Sequence, residues 1–209
     1  MANVPSDIAF TGAVKAIQER KGSRRAYARM EQGAGWSTTV DEDLAAFIAE
    51  QTSFFLATSN PDGQPYIQHR GGPPGFLRVM DEATLAFADF RGNRQYISQG
   101  NLVDNPKVHL FLIDYAHRRR VKIWGEARVV EGDPSVLDEL MPRDYDARPE
   151  QGIVIHVTAW DAEGGTQVSY RGANWAARYA GTGTPQPGLH RIHAIDGTRL
   201  LLETAEHAH

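Results

Sequence analysis

The sequence predicts a mainly β protein: an antiparallel barrel of six or seven strands preceded by helices. Three observations lead to this class. Strand-like runs follow one another from residue 53 in meander order, turn-forming sequences separate them, and no regular alternation of strand and helix indicates a parallel sheet. The helical patterns are confined to the N-terminal segment and to two places between strands.

The N-terminal segment, residues 1–52, is predicted to be helical and to pack on the barrel. Val14 and Ile17 recur at helical spacing, and Leu44 and Phe47 give a later helix an apolar face. No residue pattern of a catalytic site occurs in this segment, so we expect its role to be packing.

The barrel itself is assigned to residues 53–160. SFFLATS and QPYIQHR, joined by the turn Asn60–Gly63, predict one hairpin, and FLRVM with TLAFADF predicts a second. A helix opened by Asn93 follows, and then come the long strands KVHLFLIDY and RRRVKIWGEARVVE. Asp133 is predicted to cap a short helix beginning at Pro134, and GIVIHVTAW is the last strand.

Residues 161–209 are interpreted as a C-terminal extension of the same domain. Residues 161–187 are rich in Gly, Thr and Pro and predict loops. RIHAI and RLLLE, separated by Asp196-Gly197-Thr198, predict a closing hairpin.

Composition excludes several classes of function. The 209 residues are 41% hydrophobic and 23% charged, which is normal for a globular protein, and they contain no cysteine for a disulfide, a thiol nucleophile or a thiolate metal site. A net charge of −4 is no reason to expect nucleic acid or a membrane surface as partner. No basic segment with a long apolar run opens the sequence, and no window approaches about 18 apolar residues, so we expect a soluble, cytoplasmic protein.

One stretch suggests an anion site. In LAFADFRGNRQYISQGNL, the predicted helix N-terminus at Asn93 is followed by Arg94 and Gln95, a cation and an amide where the helix dipole favours anions. A bound phosphate would account for this placement, whereas the alternative is an ordinary turn whose Arg94 points to solvent.

Two further stretches are candidates for binding. His69-Arg70 precedes the loop Gly71–Gly75, which either edges a flat ring or forms a tight barrel corner. The basic run at Arg120 is either a solvated hairpin end or part of an anionic-cofactor site. His109 and His156 lie in apolar strands and are interpreted as core or interface residues, and we expect no metal site.

Two stretches, QPYIQHRGGPPGFLRV and LAFADFRGNRQYISQGNLVDNPKVHLFLIDYAHRRRVKIWGEARVVE, resemble the flavin-binding members of the pyridoxamine 5′-phosphate oxidase-like group. The resemblance covers about residues 8–160 in a specific order: strand, turn with G-N-R-Q, helix, N-P-K-V strand and R-R-V-K-I-x-G strand. It implies an FMN-binding split barrel and a homodimer with two shared flavin sites.

The resemblance also implies a set of cofactor-binding residues. These are Gln68, His69 and Arg70 along the isoalloxazine ring, Ala88 and Asp89 beside the ring or ribityl chain, Asn93, Arg94 and Gln95 at the phosphate, and Arg120 reaching in from the partner subunit. The phosphate turn of such proteins usually reads S-R-K, so Gln95 stands where a lysine is usual and one cation is missing.

The tail departs from the family pattern. Where relatives have a V-N-C-P-Q-H-I-like segment, this chain reads AEGGTQVSY, in which Gln167 can stand for the glutamine and the histidine is missing. Trp175 either caps the flavin ring or packs in a core or dimer interface.

The resemblance implies an FMN-dependent oxidoreductase acting on an unidentified small molecule, with an electron donor such as NAD(P)H and no assignable catalytic acid or base. Oxidation of pyridoxamine phosphate itself is a weaker interpretation, because the second phosphate-binding set of that enzyme is not found. A flavin- or haem-binding carrier or sensor and a cofactor-free dimeric scaffold remain alternatives.

Overall fold

The computed structural model describes residues 4–33, 35–142, 145, 147, 149–164, 167–170, 173–179, 190–196 and 199–204, with side chains up to residue 162. The described α-helices are α1 (Gly12–Lys21), α2 (Arg24–Gln32), α3 (Glu42–Glu50), α4 (Ile97–Asp104) and α5 (Pro134–Leu140), after a 3-10 turn at Pro5–Ile8. The described strands are β1 (Ser53–Ser59), β2 (Pro65–Gly71), β3 (Arg78–Asp81), β4 (Thr84–Phe90), β5 (Lys107–Asp114), β6 (Arg119–Val130), β7 (Pro149–Gly164), β8 (Gln167–Tyr170), β9 (Ala173–Tyr179), β10 (His190–Asp196) and β11 (Arg199–Thr204).

The chain forms two compact units. One contains residues 36–114 and 120–161, and the other contains the described parts of residues 1–35, 115–119 and 162–209. Helix α3 belongs to the first unit, where it contacts β3, whereas the packing of α1 and α2 on the barrel stays a prediction.

The first unit is built on a seven-stranded sheet with the order β2-β1-β5-β6-β7-β4-β3. The two predicted hairpins are confirmed: β1 pairs antiparallel with β2, and β3 with β4. The pairs β1–β5 and β4–β7 are antiparallel as well. The predicted mainly antiparallel β class is therefore confirmed.

The sheet curls on itself, as a barrel requires. Phe54 on β1 and Phe87 on β4 stand edge to face with ring centroids 5.2 Å apart, although three strands lie between β1 and β4 in the sheet order. Side chains alternate in and out along β1 and β5, and the inward ones are buried. The largest fully buried side chains are Phe47, Ile48, Phe54, Leu56, Leu77, Leu85, Phe87, Leu110, Leu112, Ile123, Leu140 and Ile153.

The second unit contains a four-stranded sheet in the order β10-β11-β9-β8. The predicted closing hairpin is confirmed, because β10 pairs antiparallel with β11. The loop prediction for residues 161–187 is wrong in part. β7 continues to residue 164, and β8 and β9 form an antiparallel pair, with β9 parallel to β11. Pairing with neighbouring strands satisfies the backbone here in spite of a composition that favours loops.

Candidate functional site

Helix α4 lies against the first strand pair and positions the turn before it. The Asn101 side-chain amide donates to Thr58 Oγ1 at 2.9 Å in a buried position, and the Asn105 amide donates to Ser59 Oγ at 2.8 Å. Thr58 and Ser59 end β1. These two bonds fix the helix to the barrel, so the turn of residues 91–96 is held between β4 and β1.

The turn itself is strained. Arg94 and Tyr96 both adopt left-handed backbone angles, with φ of 60° and 54°, a conformation that costs about 1–2 kcal/mol for a residue with a Cβ. Such strain persists only where surrounding contacts hold it, and it clusters at functional sites.

The prediction that Asn93 caps the helix is wrong. The helix begins at Ile97, after an N-cap residue, Tyr96, that makes no side-chain capping bond. Asn93 Oδ1 accepts instead from the backbone N–H of Gln95 at 3.2 Å. The same side-chain chemistry serves a helix cap or a turn, and here it closes a turn.

A three-residue chain of hydrogen bonds runs across the turn. Arg94 Nε donates to the Tyr96 hydroxyl at 2.9 Å, and that hydroxyl donates to Glu150 Oε1 at 3.0 Å. The Arg94 guanidinium also lies over the Tyr96 ring, 5.9 Å from its centroid. The bond to Tyr96 raises the pKa of Arg94, and the nearby charge of Glu150 raises it further. Arg94 is therefore a permanent cation held by its Nε, and its terminal nitrogens have no partner within the described part of the chain.

An open cleft of about 370 Å³ lies beside this chain of bonds. Tyr96, Gln99, Glu131, Glu150 and Gln151 line it. The Gln99 amide donates to the Glu131 carboxylate. One wall of the cleft is thus acidic, while Arg94 supplies a cation at the turn.

A β-bulge places Glu150 in this cleft. On β7, Gln151 pairs with Asp89 and Pro149 pairs with Phe90, which leaves Glu150 as the extra residue between them. Bulges re-aim side chains and are frequent beside functional sites. The strand predicted from GIVIHVTAW, which starts at Gly152, therefore begins earlier in the structure, at Pro149.

The residues implied to lie along a flavin ring fall on two faces of β2. Gln68 and Arg70 are half-buried on one face, and His69 is exposed on the other, where its ring stands against Phe55. Gln68 Oε1 accepts from the Tyr66 hydroxyl at 2.7 Å. One planar ring could therefore contact all three residues only through the backbone of this edge strand, because their side chains point to different faces.

Arg70 and Asp89 bond to each other. Arg70 Nη1 lies 2.5 Å from Asp89 Oδ1, and Asp89 Oδ2 accepts from the Gln151 amide at 2.9 Å. Only 18% of the Arg70 side chain and 12% of the Asp89 side chain are exposed. The pair joins β2 to β4 across the curled sheet, and Arg70 Nε is buried without a partner in the structure as described.

Ala88 lies on the opposite face of β4 from Asp89. It packs in a buried cluster with Ala86 and Leu140, so a contact of Ala88 with a ribityl chain would be made by its backbone. Gln95 is exposed beside Arg94. The roles of both residues stay predictions.

Arg120 is exposed at the second position of β6, far from the Arg94 turn. Glu131, which shares the cleft with Tyr96, follows the other end of this strand. Eleven residue steps of β-strand put Arg120 on the order of 30 Å from that cleft. Trp175 lies in β9, and its side chain is outside the described residues.

The imidazole ring of His109 packs against Trp124. Burial lowers its pKa, and the charge of Lys122 lowers it further, so the ring is neutral near pH 7. The ring centroid lies 4.7 Å from that of Trp124, which stacks on Trp36 at 4.5 Å. His156, interpreted from sequence as a core or interface residue, is exposed. Within the described residues no cluster of three or more His, Asp or Glu side chains could hold a metal ion.

The family model of pyridoxamine 5′-phosphate oxidase matches residues 40–164. The chain belongs to the pyridoxamine 5′-phosphate oxidase family. The match covers the seven-stranded unit, from α3 to the end of β7, and includes the Arg94 turn, the edge strand and the Arg70–Asp89 pair. The family resemblance expected from sequence is thereby confirmed.

Solved structures that resemble this chain share little sequence identity with it. An FMN-binding protein from Syntrophomonas wolfei is 12% identical over 72% of this chain and 97% of its own, with a TM-score of 0.45. HupZ from Group A Streptococcus is 19% identical over 56% and 89%, with a TM-score of 0.46. General stress protein 26 from Bacillus anthracis is 17% identical over 56% and 89%, with a TM-score of 0.44. No curated protein matches the chain.

Sequence reasoning missed the five residues that line the cleft: Tyr96, Gln99, Glu131, Glu150 and Gln151. Tyr96 and Gln151 carried no motif signal. Glu150 reaches the site through a strand bulge, which only the pairing of β4 with β7 reveals. No helix in the described part of the chain is long and apolar enough to span a membrane.

The Arg70–Asp89 pair predicts a double-mutant result. Asp89→Ala leaves the Arg70 charge partly buried without its carboxylate, and we expect it to lower the free energy of unfolding by about 3 kcal/mol. Adding Arg70→Met removes the unpaired charge and should recover part of that loss. Urea unfolding of the three proteins measures both effects. A double variant no more stable than Asp89→Ala alone would contradict the coupling.

Proposed function

We propose that this protein binds FMN at the Arg94 turn and uses it in an oxidoreductase reaction with a small molecule. Two findings support this: the family match over residues 40–164 and the open guanidinium fork of Arg94. The assignment of the phosphate to this turn depends on one observation, the engagement of Arg94 through Nε with its terminal nitrogens left open.

The donor set of the turn fits a phosphate monoester. Arg94 is held through Nε, so both terminal nitrogens can donate to two phosphate oxygens, as guanidinium groups do in bidentate contacts. The backbone N–H groups of the first turn of α4 add donors at the positive end of a helix. Because Gln95 replaces the usual lysine, Arg94 supplies the cation of the Asn93–Tyr96 turn.

The strand β2 suits the edge of a flat ring. It is the first strand in the order of the seven-stranded sheet, so one side of its backbone faces no other strand within the described residues. Gly72, which follows it, has no room for a side chain, because a Cβ there would lie 2.7 Å from Phe76. The glycine allows the backbone after β2 to pack closely against the Phe76 side chain.

Bound FMN would supply the electron transfer, and the protein supplies position and electrostatics. Arg94 and Asn93 would hold the phosphate, and the backbone of Gln68–Arg70 would orient the ring. The polar pair Arg70–Asp89 lies on the inward face behind that strand. An electron donor such as NAD(P)H and a small-molecule acceptor complete the proposal, and no residue is assigned as acid or base.

A homodimer is part of the proposal. Arg120 and the Arg94 turn lie near opposite ends of the barrel, on the order of 30 Å apart along β6. If Arg120 contributes to a flavin site, that site belongs to a second copy of the chain. Two equivalent sites, each using Arg120 of the partner subunit, follow from twofold symmetry.

The absorbance spectrum of the protein tests the function. We expect flavin absorbance after purification or after addition of FMN, and bleaching when NAD(P)H is added without oxygen. Stable flavin that no reductant bleaches would favour a carrier, and a Soret band would indicate haem. A preparation that refuses FMN in titration would refute the proposal.

Arg94→Ala tests the phosphate site. We expect FMN binding to weaken by about 1.5–3 kcal/mol, because a charge-assisted hydrogen bond is lost. Fluorescence titration measures the change. Arg91→Ala is the matched control, since Arg91 is exposed in the same turn and carries the same charge. Equal effects of the two variants would mean that only net charge matters.

Arg120→Ala tests the shared site. Flavin occupancy should fall while the protein stays folded, because Arg120 is exposed and outside the apolar core. Arg119→Ala, at the neighbouring position on the other side of the strand, is the control. Size measurements in solution give the assembly state. Full occupancy in a protein whose dimer has dissociated would make Arg120 an interface residue only.

A further inference from the structure

The hydroxyl of Tyr96 stands between a cation and a carboxylate. It accepts a hydrogen bond from Arg94 Nε at 2.9 Å and donates one to Glu150 Oε1 at 3.0 Å. A phenol has one proton to donate and lone pairs to accept, so both of its functions are in use. Arg94 Nε and Glu150 Oε1 therefore lie no more than about 6 Å apart, and the Tyr96 oxygen occupies the space between them.

Two backbone features maintain this arrangement. Arg94 and Tyr96 both have left-handed backbone angles, and the bulge leaves Glu150 outside the regular strand pairing. Each is unfavourable or irregular by itself, and they meet at a single hydroxyl. Asn93, which accepts from the Gln95 N–H, closes the turn from the other side.

The hydrogen bond to Tyr96 leaves the terminal nitrogens of Arg94 available. With Nε engaged by Tyr96, the fork of Nη1 and Nη2 is left for an anion, and within the described residues no other group bonds to it. A direct pair with Glu150 would instead occupy the fork and cancel its charge. Guanidinium forks bind carboxylates and phosphates with the same geometry, so the two compete.

We propose that Tyr96 is a positioning residue whose hydroxyl keeps Arg94 from pairing with Glu150 and so keeps the Arg94 fork open to a phosphate ester. This inference rests on the proposed FMN site. It adds to that site a residue that acts through Arg94, and it identifies Glu150 as the internal competitor of the phosphate.

A comparison of FMN with riboflavin tests the inference, because riboflavin has the same ring without the phosphate. In fluorescence titrations, Tyr96→Phe should weaken FMN binding about tenfold, as expected when a charge-assisted contact is lost, and leave riboflavin binding unchanged. The double variant Tyr96→Phe/Glu150→Gln should regain most of the FMN affinity, since Arg94 then has no carboxylate to pair with.

Tyr145→Phe is the matched control. Tyr145 and Tyr96 are each 41% exposed, and the Tyr145 hydroxyl has no hydrogen bond within the described residues. Unfolding midpoints of all variants show whether each is folded. Losses that are equal for FMN and riboflavin would indicate general damage to the site and overturn the inference.

Two further outcomes overturn it: unchanged FMN affinity in Tyr96→Phe, or failure of Glu150→Gln to restore binding in the double variant. A wild-type protein that binds neither flavin would refute the proposed function itself, and the positioning role with it. If the wild-type protein binds FMN and Tyr96→Phe does not change its affinity, only the positioning role is refuted.

Discussion

Closure of the seven-stranded sheet on itself is the constraint on which the site depends. Strands β2 and β4 are far apart in the sheet order, yet Arg70 on one bonds to Asp89 on the other. The aromatic contact of Phe54 with Phe87 spans the same gap in the apolar interior. Because β2 ends at the glycine-rich loop and β4 ends at the Arg94 turn, closure brings the candidate ring edge and the candidate phosphate turn to one region of the barrel.

Closure combines an apolar and an ionic contact with different properties. The edge-to-face pair of Phe54 and Phe87 removes apolar surface from water and tolerates small shifts. The Arg70–Asp89 pair is directional, and Gln151 satisfies the second carboxylate oxygen. A partly buried ion pair of this kind contributes little net stability compared with an apolar replacement, but it penalises misregister strongly. The pair therefore acts mainly on the alignment of β2 with β4.

The site combines order with local irregularity. Helix α4 is fixed to β1 through two asparagine side chains, while the turn before it has two left-handed residues and the strand beside it has a bulge. Helix α4 and β1 hold the irregular turn in place, and the turn presents the Arg94 guanidinium. The proposed FMN function and the proposed spacer role of Tyr96 both depend on this division between scaffold and turn.

The sequence by itself determined the class of fold, most strand positions and the family. Alternation of apolar residues, turn signals such as Asn60–Gly63, and the Asp133 cap are local, and the structure confirms them, with Asp133 Oδ1 accepting from the backbone of Ser135 and Val136. Asn93 shows the limit, because its side chain satisfies a turn as readily as a helix and local chemistry does not choose between them. Only the tertiary structure decided that Arg70 meets Asp89 and that Glu150 reaches Tyr96. These contacts join residues 19 and 54 positions apart along the chain, and their geometry follows from sheet closure and strand register, which short-range patterns do not encode.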